Sequence, residues 1–222
     1  MLDRPANLWA TFCDRWEVQR DCVPLFSEID AEVQTKQVGL GTRRTLLMRS
    51  QEMENLVLTE SAKLVADWEA RTHRYDGLIY FMGWMDGNHF VPLYIGKTET
   101  FGKGDRNLSA NVRNLKSDRS KFARWGDNYA YHIGDLSACV LPDHSESKRT
   151  AKYQAWADTL FVPGTLKLKR PVYFWAKAWD HDYTGIWEEL GPTRLAFLEY
   201  LLIGVAGLMS PHLFNREGIG RR

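Results

Sequence analysis

Cysteine is scarce in this chain, and the few present follow no metal or disulfide spacing. Cys13, Cys22 and Cys139 are odd in number and form no Cys-x-x-Cys pair. Neither a disulfide framework nor a zinc site is expected, and a reducing cytoplasm is the expected setting. Long apolar runs are lacking too. The most apolar stretch, Leu195 to Met209, is too short to span a bilayer and carries Glu199. It reads as a buried helix of a soluble protein with no membrane partner. No charged segment leads into an apolar run near Met1, so no secretory signal is expected. Internal repeats and low-complexity tracts are missing as well.

Net charge is also close to absent, at +1, but its distribution is uneven. From Lys97 to Arg124 eight basic residues face three acidic ones, and from Lys148 to Lys177 seven face one. Residues 1 to 70 lean the other way, with eight basic and twelve acidic. Clustered positive charge attracts phosphate backbones, so the two basic tracts suit a nucleic-acid partner, with a plain solvated face as the alternative. Lys103, Arg113, Lys116 and Arg124 are the candidate contacts. A chain of 222 residues, 44% hydrophobic with nine Trp, has ample material for a core. It can form one generous domain or a small catalytic domain with an added module.

Apolar spacing predicts helices within residues 7 to 35, interrupted by Pro24, and again over 51 to 71. Two strands follow, Gly77 to Tyr80 and Leu93 to Thr98, with the Asp86-Gly87-Asn88 hairpin signal between them. A helix is expected from Arg106 to about Leu115, a strand within Tyr129 to Leu141, and a helix around 147 to 161. Val172 to Ala176 reads as a strand whose start Pro171 confines to an edge. Gly191-Pro192-Thr193 then opens the helix bearing Glu199. The expected fold is α+β, a small antiparallel sheet flanked by helices. An N-terminal helical segment (1–72) packs on a core domain (73–222).

Antiparallel pairing can put Tyr80 and Tyr94 side by side on one face. A free phenol, with a pKa near 10, is a poor base at neutral pH, but a nearby cation or metal-bound water makes it a better one. Glu199 lies on a mostly apolar helix, and a buried carboxylate must neutralise, pair or bind a metal. An ion pair with Arg194 or with a residue of the basic tracts, and a metal site, are all open on this ground.

The segments Gly77-Leu78-Ile79-Tyr80 and Leu93-Tyr94-Ile95-Gly96 resemble the GIY-YIG nuclease family. Arg106 after the second strand, Glu199 on a late helix and Asn215 beyond it continue the family's pattern in order, over roughly residues 76 to 216. The resemblance implies a metal-dependent endonuclease acting on DNA, expected to be double-stranded, with one Mg²⁺ or Mn²⁺ held through Glu199. It implies a proton-accepting role for Tyr80, a positioning role for Tyr94, a phosphate clamp at Arg106 and a hydrogen-bonding role for Asn215. Lys97 is placed to act on the phenol or a phosphate, and Arg113 is the alternative to Arg106. The stretch between Arg106 and Glu199 is long for the family, implying an inserted strand and helix at about 119 to 165.

Two departures stand out. The first glycine is one residue further from its Tyr than usual, and Ala110 and Asn111 occupy the place of a frequent helical His. His132 could serve instead, or be a structural histidine. A restriction-type or defence enzyme suits a stand-alone chain of this size. A repair or mobile-element nuclease, and a non-catalytic nucleic-acid-binding protein of the same fold, are the alternatives. Double-strand cutting would call for a homodimer or two visits. Other motifs are poorer: Pro142 to Lys148 spaces Asp143 and Glu146 too closely for a PD-ExK site. Gly39 to Arg44 lacks the strand and Gly-Lys-Ser/Thr of a phosphate loop. Asp180-His181-Asp182 would point to opposite faces of a strand and reads as a polar turn.

Overall fold

Trp9, Phe12 and Cys13 share one face at helical spacing. In the computed structural model, which describes residues 4–39, 43–102 and 107–215, they are the buried side of α1 (Arg4–Arg15). Helix gives way earlier than the apolar pattern implies. After the single turn α2 (Val18–Asp21) the backbone is extended, as β1 (Val23–Pro24), β2 (Glu28–Ile29), β3 (Glu32–Val33), β4 (Thr35–Val38) and β5 (Arg44–Leu47). The helical reading of residues 23 to 35 is therefore corrected. Pro24 cannot donate within a helix, and a few apolar residues in a short run satisfy either period.

The strongly patterned segments form as expected. Ser50 caps α3 (Gln51–Ala70) by accepting from the Met53 amide at 2.9 Å, with Glu52 and Glu54 in the first turn. Strands β6 (Tyr75–Asp86) and β7 (His89–Glu99) make a long hairpin closed by Asp86 opposite His89. Downstream come α4 (His132–Val140), α5 (Ala151–Leu160), β8 (Tyr173–Asp180) and α6 (Leu195–Met209). Two expectations fail in this stretch. Residues 129 to 141 contain α4 rather than a strand, because Ile133, Leu136 and Val140 recur at helical spacing. Residues 110 to 117 run as successive turns rather than the expected helix, whose start at Arg106 lies outside the described residues; Asn111, Asn114 and Ser117 favour turns.

The main sheet is antiparallel with order β1-β8-β6-β7. Its period-2 alternation divides the core into two layers. Leu78, Tyr80, Met82, Phe174 and Ala176 face the side that holds Val57, Leu64, Trp125 and Trp156. Ile79, Phe81, Ile95, Trp175 and Trp179 face α1 and α6 on the other. The α+β class, with a small antiparallel sheet between helices, is the architecture observed. A buried ion cluster joins distant segments. The fully buried Arg49 guanidinium bonds Asp127 (2.8 Å), Glu54 (2.8 Å) and the Trp125 carbonyl (2.7 Å).

Strand β7 is an outer strand of the sheet, and the chain beyond α6 covers it. The Phe214 amide donates to the Leu93 carbonyl at 2.7 Å. Asn215 accepts from the Ile95 amide at 2.9 Å and donates to its carbonyl at 2.8 Å, imitating a paired strand. At the other end, a bulge between Tyr75 and Gly77 turns Asp76 toward the start of α6. Its carboxylate takes the Arg194 guanidinium in two bonds (2.6 and 2.8 Å) and the Leu195 amide (3.0 Å). Gly77 allows this approach. With φ at +156°, a Cβ there would lie 2.1 Å from the Thr98 carbonyl oxygen.

Candidate active site

In the β6–β7 register Tyr80 lies opposite Gly96 and Met82 opposite Tyr94, so the two tyrosines share a face. Their ring centroids are 6.3 Å apart. Tyr80 lies flat across β7, and a Cβ at Gly96 would meet its Cε2, Cζ and hydroxyl at 2.7 Å. The glycine of the second motif is thus the space in which the tyrosine of the first is held.

The two phenols have different surroundings. Tyr80 is 2% exposed, beneath Trp125 and Phe174. Burial pushes its phenol well above the usual range, Tyr94 and Glu199 add to the rise, and Arg124 opposes it. Its hydroxyl meets His132 Nε2 at 3.4 Å, and His132 Nδ1 lies 2.7 Å from the Tyr153 hydroxyl. His132 opens α4, stacks on Trp156 and contacts Trp125. Burial holds the imidazole well below its ordinary range, with Lys152 and Arg124 adding to the effect, so it is neutral. With one nitrogen accepting and the other donating, the neutral ring links Tyr80 to Tyr153.

Tyr94 is only partly buried and faces a groove of about 510 Å³. The groove wraps round the β7 edge. Tyr94 and Lys152 line it from one side of the sheet; Lys97, Glu199 and Tyr200 line it from the α6 side, with Phe214 and Asn215 at the edge itself. The Lys152 ammonium sits 5.0 Å from the Tyr94 ring centroid and 5.2 Å from that of Tyr153. Lys97 pairs with Glu99. Glu199 is half-buried rather than sunk in the core, on the flank of α6 where its apolar face meets the groove. Arg194, the alternative partner for Glu199 in the sequence, pairs with Asp76.

The structure therefore brings Tyr94, Lys97, Glu199 and Asn215 to one groove and places Tyr80 behind its wall. Asn215 has both ends of its amide engaged by Ile95, so it fixes the groove's edge. Arg124 is exposed near the Tyr80–His132 cluster, its guanidinium 5.4 Å from the Tyr131 ring centroid. Arg113 and Lys116 line a different groove, against α3. Arg106 and Lys103 lie outside the described residues. Sequence reasoning missed Lys152 and Tyr153. Both belong to the second basic tract, and nothing in linear spacing tied that tract to the hairpin.

The chain matches no protein-family model, no curated protein and no solved structure.

Among the described residues, two places offer ligands for a metal ion. Glu199 offers one hard carboxylate in a polar groove, which fits a small divalent cation that keeps most of its water and needs few protein ligands. At the end of β8, Asp180, His181 and Asp182 bring one ligand atom each to within 4.8 Å of one another. The segment is the polar turn expected after the strand, and because β8 ends at Asp180 the three side chains are not held to opposite faces. The Asp182 amide turns back to Asp180 Oδ1 at 2.9 Å. Arg74 also pairs with Asp180.

No helix among the described residues is long and apolar enough to cross a membrane.

Proposed function

We propose that this protein is a divalent-metal-dependent endonuclease of GIY-YIG type, hydrolysing phosphodiester bonds of DNA in the β7-edge groove. One observation carries the reading: Tyr94, Glu199 and Asn215 of the sequence pattern line one groove together with Lys97 and with Lys152, which the pattern does not include. A divalent ion bound at Glu199 would stabilise charge on the phosphate and the leaving oxygen. Lys97 and Lys152 would hold the non-bridging oxygens from opposite sides and offset the charge that develops during attack. The Tyr94 hydroxyl would orient the attacking water in line. Tyr80 supports Tyr94 from behind through packing and through its link to His132. Its burial and raised phenol make it a positioning group for the chemistry rather than the residue that meets solvent.

Plasmid cleavage in Mg²⁺ tests this. Glu199→Ala and Tyr94→Phe should each lower the rate by at least about 100-fold, the scale of one lost electrostatic contributor, with circular dichroism unchanged. Cleavage at the original rate by Glu199→Ala would sink the assignment. A homodimer, and a role in restriction or defence, are compatible with it. Nucleic-acid binding that persists in EDTA, with no cutting in any divalent ion, would favour a binding protein of the same fold.

A further inference from the structure

Helix α6 is apolar nearly all round, yet it leaves large side chains in water. Phe197 is 52% exposed and Tyr200 61%. Both sit within two residues of Glu199, and Tyr200 itself lines the groove. Exposed aromatics cost solvation, and here they are concentrated at the end of the helix that carries the candidate metal ligand. Across the groove Phe214 stacks on Trp156 at 5.1 Å between centroids, its ring plane tilted by 20°. Two lysines line the same space. Aromatic faces beside lysine ammonium groups are what a single nucleic-acid strand uses: bases stack on the rings while phosphates follow the ammonium groups. A base inside a duplex has both faces covered by its neighbours and cannot use such a platform. A cleft of about 510 Å³ is of ligand scale, suited to nucleotides of one strand.

From this we infer that the groove takes unpaired nucleotides, stacking a base on Tyr200 beside the scissile phosphate, so that single-stranded or locally opened DNA is the preferred substrate. The inference rests on the nuclease reading for the word substrate, but its binding claim stands separately. Lys152 is the residue that would carry the phosphate on the far side from Lys97. The uncharged row of α6 is then covered by bases rather than by a second copy of the chain. The charged lining favours this, because the aromatics share their groove with Lys97, Lys152 and Glu199, which an apolar dimer interface would have to desolvate.

The test is fluorescence anisotropy of the full chain in EDTA, which prevents cutting, with a labelled oligothymidylate, a blunt duplex of equal length, and an oligomer of abasic sites bearing the same phosphates. Wild type should bind the single strand at least about tenfold more tightly than either competitor. Tyr200→Ala should lose about tenfold on the single strand, the scale of one base–aromatic stack, and no longer distinguish it from the abasic oligomer. Tyr200→Phe should restore the difference. Equal or tighter duplex binding, an unchanged Tyr200→Ala, or no binding to any probe would overturn the inference. So would a wild-type dimer in sedimentation that Tyr200→Ala converts to monomer. Plasmid or duplex cleavage insensitive to Tyr200→Ala would leave the nuclease reading standing while the inference falls. Single-strand binding without any cutting would do the reverse.

Discussion

The ring of Tyr80 occupies the volume that a side chain on Gly96 would fill, with its hydroxyl directed at His132. Two motifs that look independent in the sequence are therefore one packing unit. The glycine of one exists to accommodate the tyrosine of the other.

Gly96→Ala tests this unit. A methyl 2.7 Å from three ring atoms cannot be absorbed by a flexible neighbour, because Tyr80 is packed on every side. Overpacking of this kind costs about 1–3 kcal/mol. Urea unfolding should show that loss, and the Tyr80–His132 contact should break. Tyr80→Phe, which removes only a long hydrogen bond, should cost less than about 1.5 kcal/mol.

Acid should weaken the fold through His132. The buried imidazole is held well below its ordinary value of 6.5, so the unfolded chain takes up the proton first. Its contribution is complete above about pH 6.5 and is lost as the pH falls below that value, at about 1.4 kcal/mol per pH unit. Denaturant titrations at pH 7.5 and 5.5 should show the drop, and His132→Gln should remove most of it. A wild-type stability that rises on acidification would contradict the buried neutral ring.

Arg49 should be among the most sensitive positions. Its guanidinium is wholly buried and holds Glu54, Asp127 and the Trp125 carbonyl. Removing it deletes the buried partner of two carboxylates, leaving Asp127 to Lys36 and Glu54 to Arg119 at the cluster's outer side. Arg49→Ala should therefore cost about 3–5 kcal/mol. Expression as aggregate, or a midpoint shift of that size, would bear this out, while a neutral substitution would not.

Metal titration should separate the two candidate ion sites. Calorimetry with Mg²⁺ or Mn²⁺ should show binding to wild type that Glu199→Gln abolishes and Asp182→Asn leaves in place. The opposite pattern would move the ion to the end of β8. Asn215→Ala should leave metal binding intact but cost about 1–3 kcal/mol, since it deletes both bonds to Ile95. The Ile95 amide should then exchange faster with deuterium.

The hairpin and α6 were legible because their patterns are long and unambiguous. Twelve- and eleven-residue strands around Asp86–His89 leave no competing period, and the apolar run at 195 to 209, broken by Glu199, is too long for a strand and reads as helix. Residues 23 to 47 were not legible, because strands of two to four residues carry too few side chains to fix a period. The surroundings of Tyr80 were hidden for another reason. His132 and Tyr153 reach it from α4 and α5, and such contacts leave no mark in local spacing. The two tyrosines could be paired from the sequence, but their division of labour could not. Burial distinguishes them, and burial of a central-strand residue depends on what the rest of the chain lays over it.

The seating of α6 by Asp76 joins residues 119 positions apart. Under the nuclease reading, a nascent or clipped chain stopping short of Leu195 would own both tyrosines and most of its cations but not Glu199. Without Tyr200 and Phe214 it would also lack the aromatic platform of the groove, and it would have no means to cut nucleic acid. Hydrolytic competence would then belong only to finished molecules, a safeguard for a cell that must synthesise such an enzyme beside its own genome.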